Sequence, residues 1–329
     1  MTERKLATVE TIQEIQSIQN ADNIVKARIR NWWVVVRKDQ FKIDDKCIYF
    51  EIDSLLPMYN PMFDGLGKYN SIKEQDGTTG YRIRTVKLRG QISQGLALPC
   101  NGDLPIGTDL TEELGIIKYD PYQDPKIRLS SDNGAEGLFP CFIPKTDEER
   151  VQNLNIEDLR GKRFICTEKL DGTSFTAYKK YGQLKVCSRN LILREDENSI
   201  YWKIARKYNL DTILGEGVAM QGEIVGEGIQ GNRLRLKDQE LYIFYMYDFE
   251  AQEYYYHIQM QGLKYVPIID GFEIDNNITI EDLIERSNGL KSQLNENRLA
   301  EGIVYYRINK DGSKESFKVI NNKYLLKEK

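Results

Sequence analysis

Histidine is almost absent from this sequence of 329 residues, which contains only His257. A single imidazole leaves little room for histidine-based catalysis or for a metal site built from several histidines. Chemistry in this chain must therefore use lysine, aspartate and glutamate, together with a hard cation that oxygen atoms bind. His257 lies in a tyrosine-rich stretch, and we interpret it as a surface or packing residue.

Cysteine and long apolar runs are also scarce, and their scarcity excludes further classes of protein. The five cysteines are an odd number and include no C-x-x-C pair, so we expect reduced thiols rather than a disulfide framework or a zinc site. No apolar run approaches the length of a membrane span, and the first five residues lack the apolar core of a secretory signal. These absences predict an intracellular protein, cytoplasmic or nuclear, with no membrane partner.

The charge balance is slightly acidic and gives only weak information about partners. Lysine and arginine number 46 against 50 aspartates and glutamates, a net charge of −4, whereas a nucleic-acid binder is often basic. Local clusters rather than the sum steer binding, however. The alternation of Arg82 and Arg84, followed by Lys87 and Arg89, predicts a strand face that binds phosphate, although a solvated strand face would have the same pattern.

The length predicts two domains, and the turn residues indicate where they meet. Five short β-rich runs within residues 1–100 predict an OB-like β-barrel that binds nucleic acid, or else a barrel that serves packing alone. Residues 101–139 contain several prolines and glycines and predict an irregular linker. Residues 140–329 alternate mostly as strands, with helical spacing from Ser199 to Tyr208 and a helix start resembling a capping box at Thr279.

The stretch from Glu168 to Phe175 carries the most specific chemical pattern. Lys169, Asp171 and Gly172 lie between two apolar alternating runs, which is typical of two strands joined by a tight connection. A lysine held at a strand end, where a metal or other cations lower its pKa, could attack phosphorus and become linked to AMP. The alternative interpretation is a surface lysine ahead of an Asp-Gly turn.

Five further motifs follow this lysine in order. They are Ser188-Arg189-Asn190, Gly222-Glu223-Ile224-Val225, Tyr245-Met246-Tyr247-Asp248, Glu301-Gly302-Ile303-Val304 and Phe317-Lys318-Val319. The ordered set resembles the covalent nucleotidyltransferase superfamily of ATP-dependent polynucleotide ligases and mRNA capping enzymes. With an OB-like domain in front, the chain is similar to RNA ligases of the Naegleria type. The resemblance implies an α+β fold, in which an OB-like β-barrel precedes an ATP-grasp-like nucleotidyltransferase domain of antiparallel sheets with flanking helices.

The resemblance also implies a role for each motif residue. Lys169 is the nucleophile that attacks the α-phosphate of ATP, and Lys318 contacts that phosphate. Glu301 binds a divalent cation, Mg²⁺ or Mn²⁺, while Asp171 orients Lys169 or helps to hold the metal. For the nucleoside, the resemblance implies that Glu168 contacts the adenine edge, Tyr247 stacks on adenine and Glu223 binds a ribose hydroxyl. Arg189 contacts the ribose and the phosphates, and Lys145 and Arg150 contact phosphate. Lys323 replaces a second motif lysine that this chain lacks.

The function implied is that of an ATP-dependent RNA ligase acting in RNA repair. Such an enzyme joins a 3′-hydroxyl RNA end to a 5′-phosphate end through a lysyl-AMP enzyme and an AMP-capped 5′ end. The expected partner is RNA, as a nicked duplex with an RNA 3′-hydroxyl, and the expected state is a monomer. Three alternatives remain: a capping guanylyltransferase that prefers GTP, a DNA ligase of the same superfamily, and an inactive RNA-binding module.

Overall fold

The computed structural model describes residues 4–68, 70–119, 134–255 and 262–327. His257 and the middle of the predicted linker therefore lie outside the described residues. The chain divides into two compact units, Met1–Ile127 and Arg128–Lys329.

In its described residues, the first unit is built of short antiparallel strands and two 3-10 turns, Pro61–Phe63 and Leu66–Lys68. Its strands are β1 (Ala7–Thr11), β2 (Glu14–Ser17), β3 (Ile24–Ile29), β4 (Trp32–Arg37), β5 (Lys46–Phe50), β6 (Ser54–Pro57), β7 (Ser71–Gln75), β8 (Thr78–Arg82), β9 (Val86–Leu88), β10 (Gln91–Ser93), β11 (Leu96–Pro99) and β12 (Ile117–Lys118).

Strand ladders in the described part of the first unit form four separate sheets. Their orders are β1-β5-β11, β2-β3-β4, β12-β6-β8-β7 and β9-β10. Alternation explains the inner faces: Trp32, Val34 and Val36 of β4 are buried, while the residues between them are half-exposed. Among the residues that the structure describes, no ladder closes these sheets into a barrel. Strand β4 meets the end of β10 through the Ser93 hydroxyl and the Gln94 amide rather than through strand pairing.

At both ends of the predicted linker, the structure has packed or strand-paired residues instead of an irregular segment. Leu110 and Ile116 are buried in the core of the first unit, and β12 pairs with β6. At the other end, β13 (Ala135–Leu138) pairs within the second unit. The prolines and glycines of this segment mark turns between residues that pack, so composition alone overstated its irregularity.

The described part of the second unit contains two sheets, four α-helices and two 3-10 turns, Val151–Asn153 and Ile156–Leu159. The helices are α1 (Ile200–Lys207), α2 (Leu210–Ile213), α3 (Ile280–Ser287) and α4 (Asn322–Leu325). After β13, the strands are β14 (Glu149–Arg150), β15 (Arg163–Lys169), β16 (Thr173–Lys180), β17 (Gln183–Cys187), β18 (Leu191–Leu193), β19 (Val218–Val225), β20 (Glu240–Asp248), β21 (Glu253–Tyr255), β22 (Lys264–Tyr265), β23 (Ile268–Glu273), β24 (Gly302–Ile308) and β25 (Lys314–Ile320).

The larger sheet has the order β13-β18-β17-β16-β19-β20-β21, with β22 also paired to β20, and the smaller has the order β14-β25-β24-β15-β23. One face of the larger sheet buries Phe175 and Ala177 against Trp202 and Ile204 of α1. The opposite face carries Glu223, whose neighbour across the ladder is Ser174. The helix predicted from residue 199 to 208 is confirmed within a residue at each end.

The predicted helix start at Thr279 is also confirmed. Its side chain accepts a hydrogen bond from the Asp282 amide, and the Asp282 side chain accepts one from the Thr279 amide. Both α1 and α3 have eight residues. Within the described residues, no helix combines the length and apolar character needed to cross a membrane.

Candidate active site

Lys169 lies at the end of β15 and forms an ion pair with Glu301. Lys169 pairs in the ladder with Gly302, so Glu301 immediately precedes its strand partner. The Lys169 Nζ lies 2.7 Å from the Glu301 Oε1, and the two side chains are 26% and 19% exposed. Because β15 hydrogen-bonds to β24 on one side and β23 on the other, the backbone that carries the lysine is fixed within a sheet.

The connection after Lys169 does not form a hairpin, contrary to the interpretation of paired strands. Residues 170–172 carry the chain from β15 in the smaller sheet to β16 in the larger one. A Cβ on Gly172 would lie 2.2 Å from the Ile224 carbonyl oxygen and 2.8 Å from the Glu223 Cγ. Only glycine allows this approach, which brings Lys169 to the edge of both sheets.

Three carboxylates surround the Lys169 amine and control its protonation. Burial lowers the pKa of Lys169, but the charges of Glu301, Glu223 and Asp171 outweigh burial and raise it. Burial raises the pKa of Glu223 to about 8, against the opposing charge of Lys169. In the protein alone these carboxylates therefore outweigh any neighbouring cation, and the lowering of the lysine pKa by a metal stays a prediction.

Asp171 binds two residues that the sequence patterns did not assign to the site. The Tyr324 hydroxyl donates a hydrogen bond to Asp171 Oδ2, and the Arg233 Nε lies 3.9 Å from the same oxygen. The guanidinium of Arg233 lies 4.3 Å from the Tyr324 ring centre. Arg233 belongs to a basic run visible in the sequence, but nothing local distinguishes Tyr324 among the 20 tyrosines.

Lys323, the predicted substitute for a missing motif lysine, is exposed beside Tyr324. Its Nζ lies 3.1 Å from the position that a Cβ on Gly289 would occupy. The lysine therefore covers the turn after α3, and its neighbour Tyr324 is the residue of α4 that reaches Asp171.

Glu168 precedes the nucleophile and is almost completely buried. Its Oε2 accepts a hydrogen bond from the Gln293 amide at 2.8 Å. Burial raises the pKa of Glu168, and hydrogen bonds from the Ser292 side chain and the Gln293 amide oppose that shift. A buried carboxylate next to the nucleophile is suited to contact a polar ligand edge.

Lys318 and Arg150 meet on neighbouring strands. The two residues are ladder partners because β14 pairs in parallel with β25. On its other side Lys318 pairs with Val304 of β24. Burial raises the pKa of Glu301, and the charges of Lys169 and, more weakly, Lys318 oppose that shift, so Lys318 lies within electrostatic reach of the site.

Lys145 and Arg189 belong to two segments that bind each other. The Lys145 Nζ donates to the Asn190 side chain at 2.9 Å, and the Arg189 guanidinium contacts Asp147 at 2.5 Å. The charge of Arg189 also opposes the raised pKa of Glu223. The two predicted phosphate contacts therefore lie on the Glu223 side of the site.

Tyr247 lies away from these residues, in an aromatic cluster. It is 6% exposed, and its ring centre lies 4.7 Å from that of Tyr254. Its ladder partner is Ala219, four residues along β19 from Glu223, which corresponds to about 13 Å of strand. The structure packs Tyr247 into the core instead of leaving its ring open to adenine.

Among the predicted nucleic-acid contacts, Arg82 is also misassigned. It is 5% exposed, binds Asp53 at 3.2 Å and lies 4.8 Å from the Tyr119 ring centre. Arg84, Lys87 and Arg89 are exposed. Since β8 ends at Arg82, the alternation that would have placed Arg82 and Arg84 on one face does not continue to Arg84.

The carboxylates at Lys169 fit a divalent cation by their chemistry. Asp171, Glu223 and Glu301 supply the oxygen ligands that Mg²⁺ and Mn²⁺ prefer, and all three act electrostatically on one amine. Among the described residues no group of three ligands is already arranged to hold a metal, and the Lys169 ammonium binds Glu301 directly.

Comparison with known proteins relates both units to RNA ligases. A family model described as RNA ligase matches residues 162–320, and one described as an OB-fold domain matches residues 6–100. A search of curated proteins gave no significant match. The OB-fold match confirms the predicted class of the amino-terminal domain.

Solved structures of Naegleria gruberi RNA ligase resemble the whole chain. An apo mutant has a TM-score of 0.88 and 39% identity, and the alignment covers 99% of each chain. A lysine-to-alanine mutant with ATP and Mn has a TM-score of 0.87 and 39% identity, covering 98% of this chain and 99% of the other. A glutamate-to-alanine mutant with AMP and Mn has a TM-score of 0.87 and 40% identity, covering 99% of each.

Identity at this level over nearly the full length of both chains, together with the lysine and carboxylates assembled where the two sheets meet, identifies the chain as a member of the RNA ligase family.

Proposed function

We propose that this protein is an ATP-dependent RNA ligase in which Lys169 carries AMP. The observation that supports this most directly is the Lys169–Glu301 ion pair, with Asp171, Glu223 and Lys318 around it. One amine and several oxygen ligands form the group set that attack on a nucleoside triphosphate requires. The Naegleria ligase structures with ATP, AMP and Mn give independent support.

The first step forms one bond and breaks another. The neutral Lys169 Nζ attacks the α-phosphorus of ATP, the P–N bond forms, and the bond to the β-phosphate oxygen breaks to release pyrophosphate. Glu168 receives the adenine edge, while Lys318 and Arg150 contact the phosphates. A divalent cation held by Glu301 and Asp171 would neutralise charge beside the amine and on the transferring phosphate.

Two transfers complete the reaction. The 5′-phosphate of the RNA attacks the lysyl phosphorus, which releases Lys169 and leaves an AMP-capped 5′ end. The 3′-hydroxyl then attacks the capped phosphate, loses its proton and expels AMP. We assign Arg84, Lys87 and Arg89 to the phosphate backbone of the RNA, because all three are exposed cations on the OB-fold unit. The substrate in this proposal is a nicked duplex with an RNA 3′-hydroxyl, bound by an intracellular monomer.

The decisive experiment is labelling with α-labelled ATP. Wild-type protein should form a covalent AMP adduct, and Lys169→Ala should form none while melting at the same temperature. Lys179→Ala is a matched control, since Lys179 also lies on a strand, pairs with Asp211 at 3.4 Å and is 22% exposed. Labelling with GTP in place of ATP would instead support a capping enzyme, and acid-labile labelling in Lys169→Ala would contradict the assignment.

A further inference from the structure

Glu148 forms a buried polar cluster that none of the steps above uses. Its Oε1 lies 2.7 Å from the Lys314 Nζ, and the two side chains are 9% and 8% exposed. The Ser316 hydroxyl donates to its other oxygen, and the Tyr245 hydroxyl makes a longer contact of 3.4 Å. The Lys314 ammonium also lies 4.0 Å from the centre of the Tyr245 ring.

This cluster lies on the same strand face as a residue of the active site. Lys314, Ser316 and Lys318 alternate along β25, so their side chains leave the same face of the smaller sheet. Glu148 binds Lys314 and Ser316. Arg150 follows Glu148 by two residues, and its backbone pairs with that of Lys318. The contacts of Glu148 therefore set the register in which Arg150 lies beside Lys318.

The larger sheet also contacts residues 144–150, the segment that contains Glu148. Gln221 of β19 donates a hydrogen bond to the Pro144 carbonyl oxygen at 2.7 Å, and Tyr245 of β20 reaches Glu148. Gln221 and Tyr245 are ladder partners, and Gln221 alternates with Glu223 on one strand face. Residues 144–150 thus bridge the two sheets beside the carboxylates that surround Lys169.

Stability alone does not account for a buried ion pair here. Taking two charges out of water offsets most of their attraction, so an apolar pair of similar volume would serve the fold at least as well. What a charged, directional cluster provides is a fixed geometry for the backbone that it holds.

We propose that Glu148 is a positioning residue of the ligase, whose carboxylate fixes residues 144–150 between the two sheets and so places Arg150 beside Lys318 to bind the triphosphate of ATP. The inference rests on the proposed function, because it assigns the phosphates of ATP to these two cations. Glu148 itself touches neither substrate nor metal in this scheme.

The test compares Glu148→Gln with Glu149→Gln. The second variant makes the same change one residue later, where the carboxylate is exposed and accepts hydrogen bonds from the side chain of Asn153 and the amide of Arg150. In Glu148→Gln the ATP concentration for half-maximal adduct formation should rise roughly tenfold or more, because charge-assisted phosphate contacts are weakened. Affinity for adenosine, which has no phosphates, should change less than about twofold in the same variant.

A variant that merely loosens the fold would weaken adenosine and ATP alike, and that result, or no change in either, would overturn the proposal. Ser316→Ala provides a milder second variant if Glu148→Gln does not fold, and it should shift the ATP requirement in the same direction by a smaller factor. Adduct formation by the wild-type protein distinguishes failure of the ligase assignment from failure of this proposal. If the wild-type protein forms no adduct, the ligase assignment is refuted. If it forms the adduct and both Glu148→Gln and Ser316→Ala show the wild-type ATP dependence, only the role of Glu148 is refuted.

Discussion

Asp171 accepts a hydrogen bond from the hydroxyl of Tyr324, a residue 153 positions later in the chain. The contact joins the crossing between the two sheets to the short helix α4, and the Arg233 guanidinium lies over the same tyrosine ring. Burial, and then the charges of Glu301 and Asp171, raise the pKa of Tyr324, so its hydroxyl stays protonated as the donor. The orientation of Asp171 therefore depends on a residue outside the motif that contains it.

We expect Tyr324→Phe to slow AMP-adduct formation about tenfold, because a hydrogen bond to a carboxylate is worth roughly 1.5–3 kcal/mol. The ring and its contact with Arg233 remain, so the melting temperature should change little. Single-turnover labelling with ATP measures the rate, and Tyr181→Phe, an exposed tyrosine, provides the control. A rate equal to that of wild type would show that Asp171 is oriented without this hydroxyl.

Gly172→Ala should reduce adduct formation by about a hundredfold, since displacements of about 1 Å near a reacting centre can cost that much. The new Cβ would lie 2.2 Å from the Ile224 carbonyl oxygen, so either the crossing or β19 must shift. Gly137→Ala is the matched control, because no atom lies within 4 Å of its Cβ position. Equal rates for the two variants would refute the close-approach argument.

Glu301→Gln should lower adduct formation by about two orders of magnitude, because it keeps the side-chain volume but removes a charge needed at the transferring phosphate. Excess chelator should abolish adduct formation by the wild-type protein. The control is Glu315→Gln, which removes the partner of another lysine, Lys162, at 2.6 Å. Full activity of Glu301→Gln, or of wild type in chelator, would exclude a metal role for this residue.

The three exposed cations of the OB-fold unit should contribute to the salt dependence of RNA binding. Replacing Arg84, Lys87 and Arg89 together with alanine should reduce the slope of log affinity against log salt by about 2–3, at roughly 0.7–0.9 for each phosphate contact. Binding titrations at several salt concentrations measure the slope. An unchanged slope would mean that RNA contacts other residues.

Arg82→Ala gives the opposite pattern of effects. Removing the Arg82 guanidinium takes away its charged hydrogen bond to the half-buried Asp53 and should destabilise the fold by about 2 kcal/mol. The salt slope of RNA binding should stay the same, because Arg82 is not available to phosphate. A lower salt slope with unchanged stability would restore the original assignment of Arg82.

Sequence patterns were sufficient to predict the elements that depend on residues close together in the chain. The helical spacing that gives α1 and the capping box of α3 are each set within ten residues, and both were predicted. The lysine at the end of β15 was also predicted, because the apolar alternation before it and the glycine after it are local signals. Its partner Glu301 came only from the resemblance.

Errors arose where burial or long-range contact decides the outcome. Arg82 and Tyr247 have ordinary strand neighbours in the sequence, and only the packing of Tyr119 and Tyr254 against them shows that they are covered. The role of Lys323 stays a prediction, and the contact of its neighbour Tyr324 with Asp171 was missed. The periodicity of a segment does not indicate which of two adjacent residues contacts a side chain 153 positions away.

The crossing at residues 170–172 has a mechanical consequence. It joins strands that hydrogen-bond into different sheets, and Gly172 packs directly on the strand of Glu223. Only two residues separate Lys169 from Gly172, so the distance between the amine and Glu223 is set by one short, tightly packed segment. A longer or looser connection at this point would let the nucleophile drift away from its carboxylates even if both sheets stayed intact.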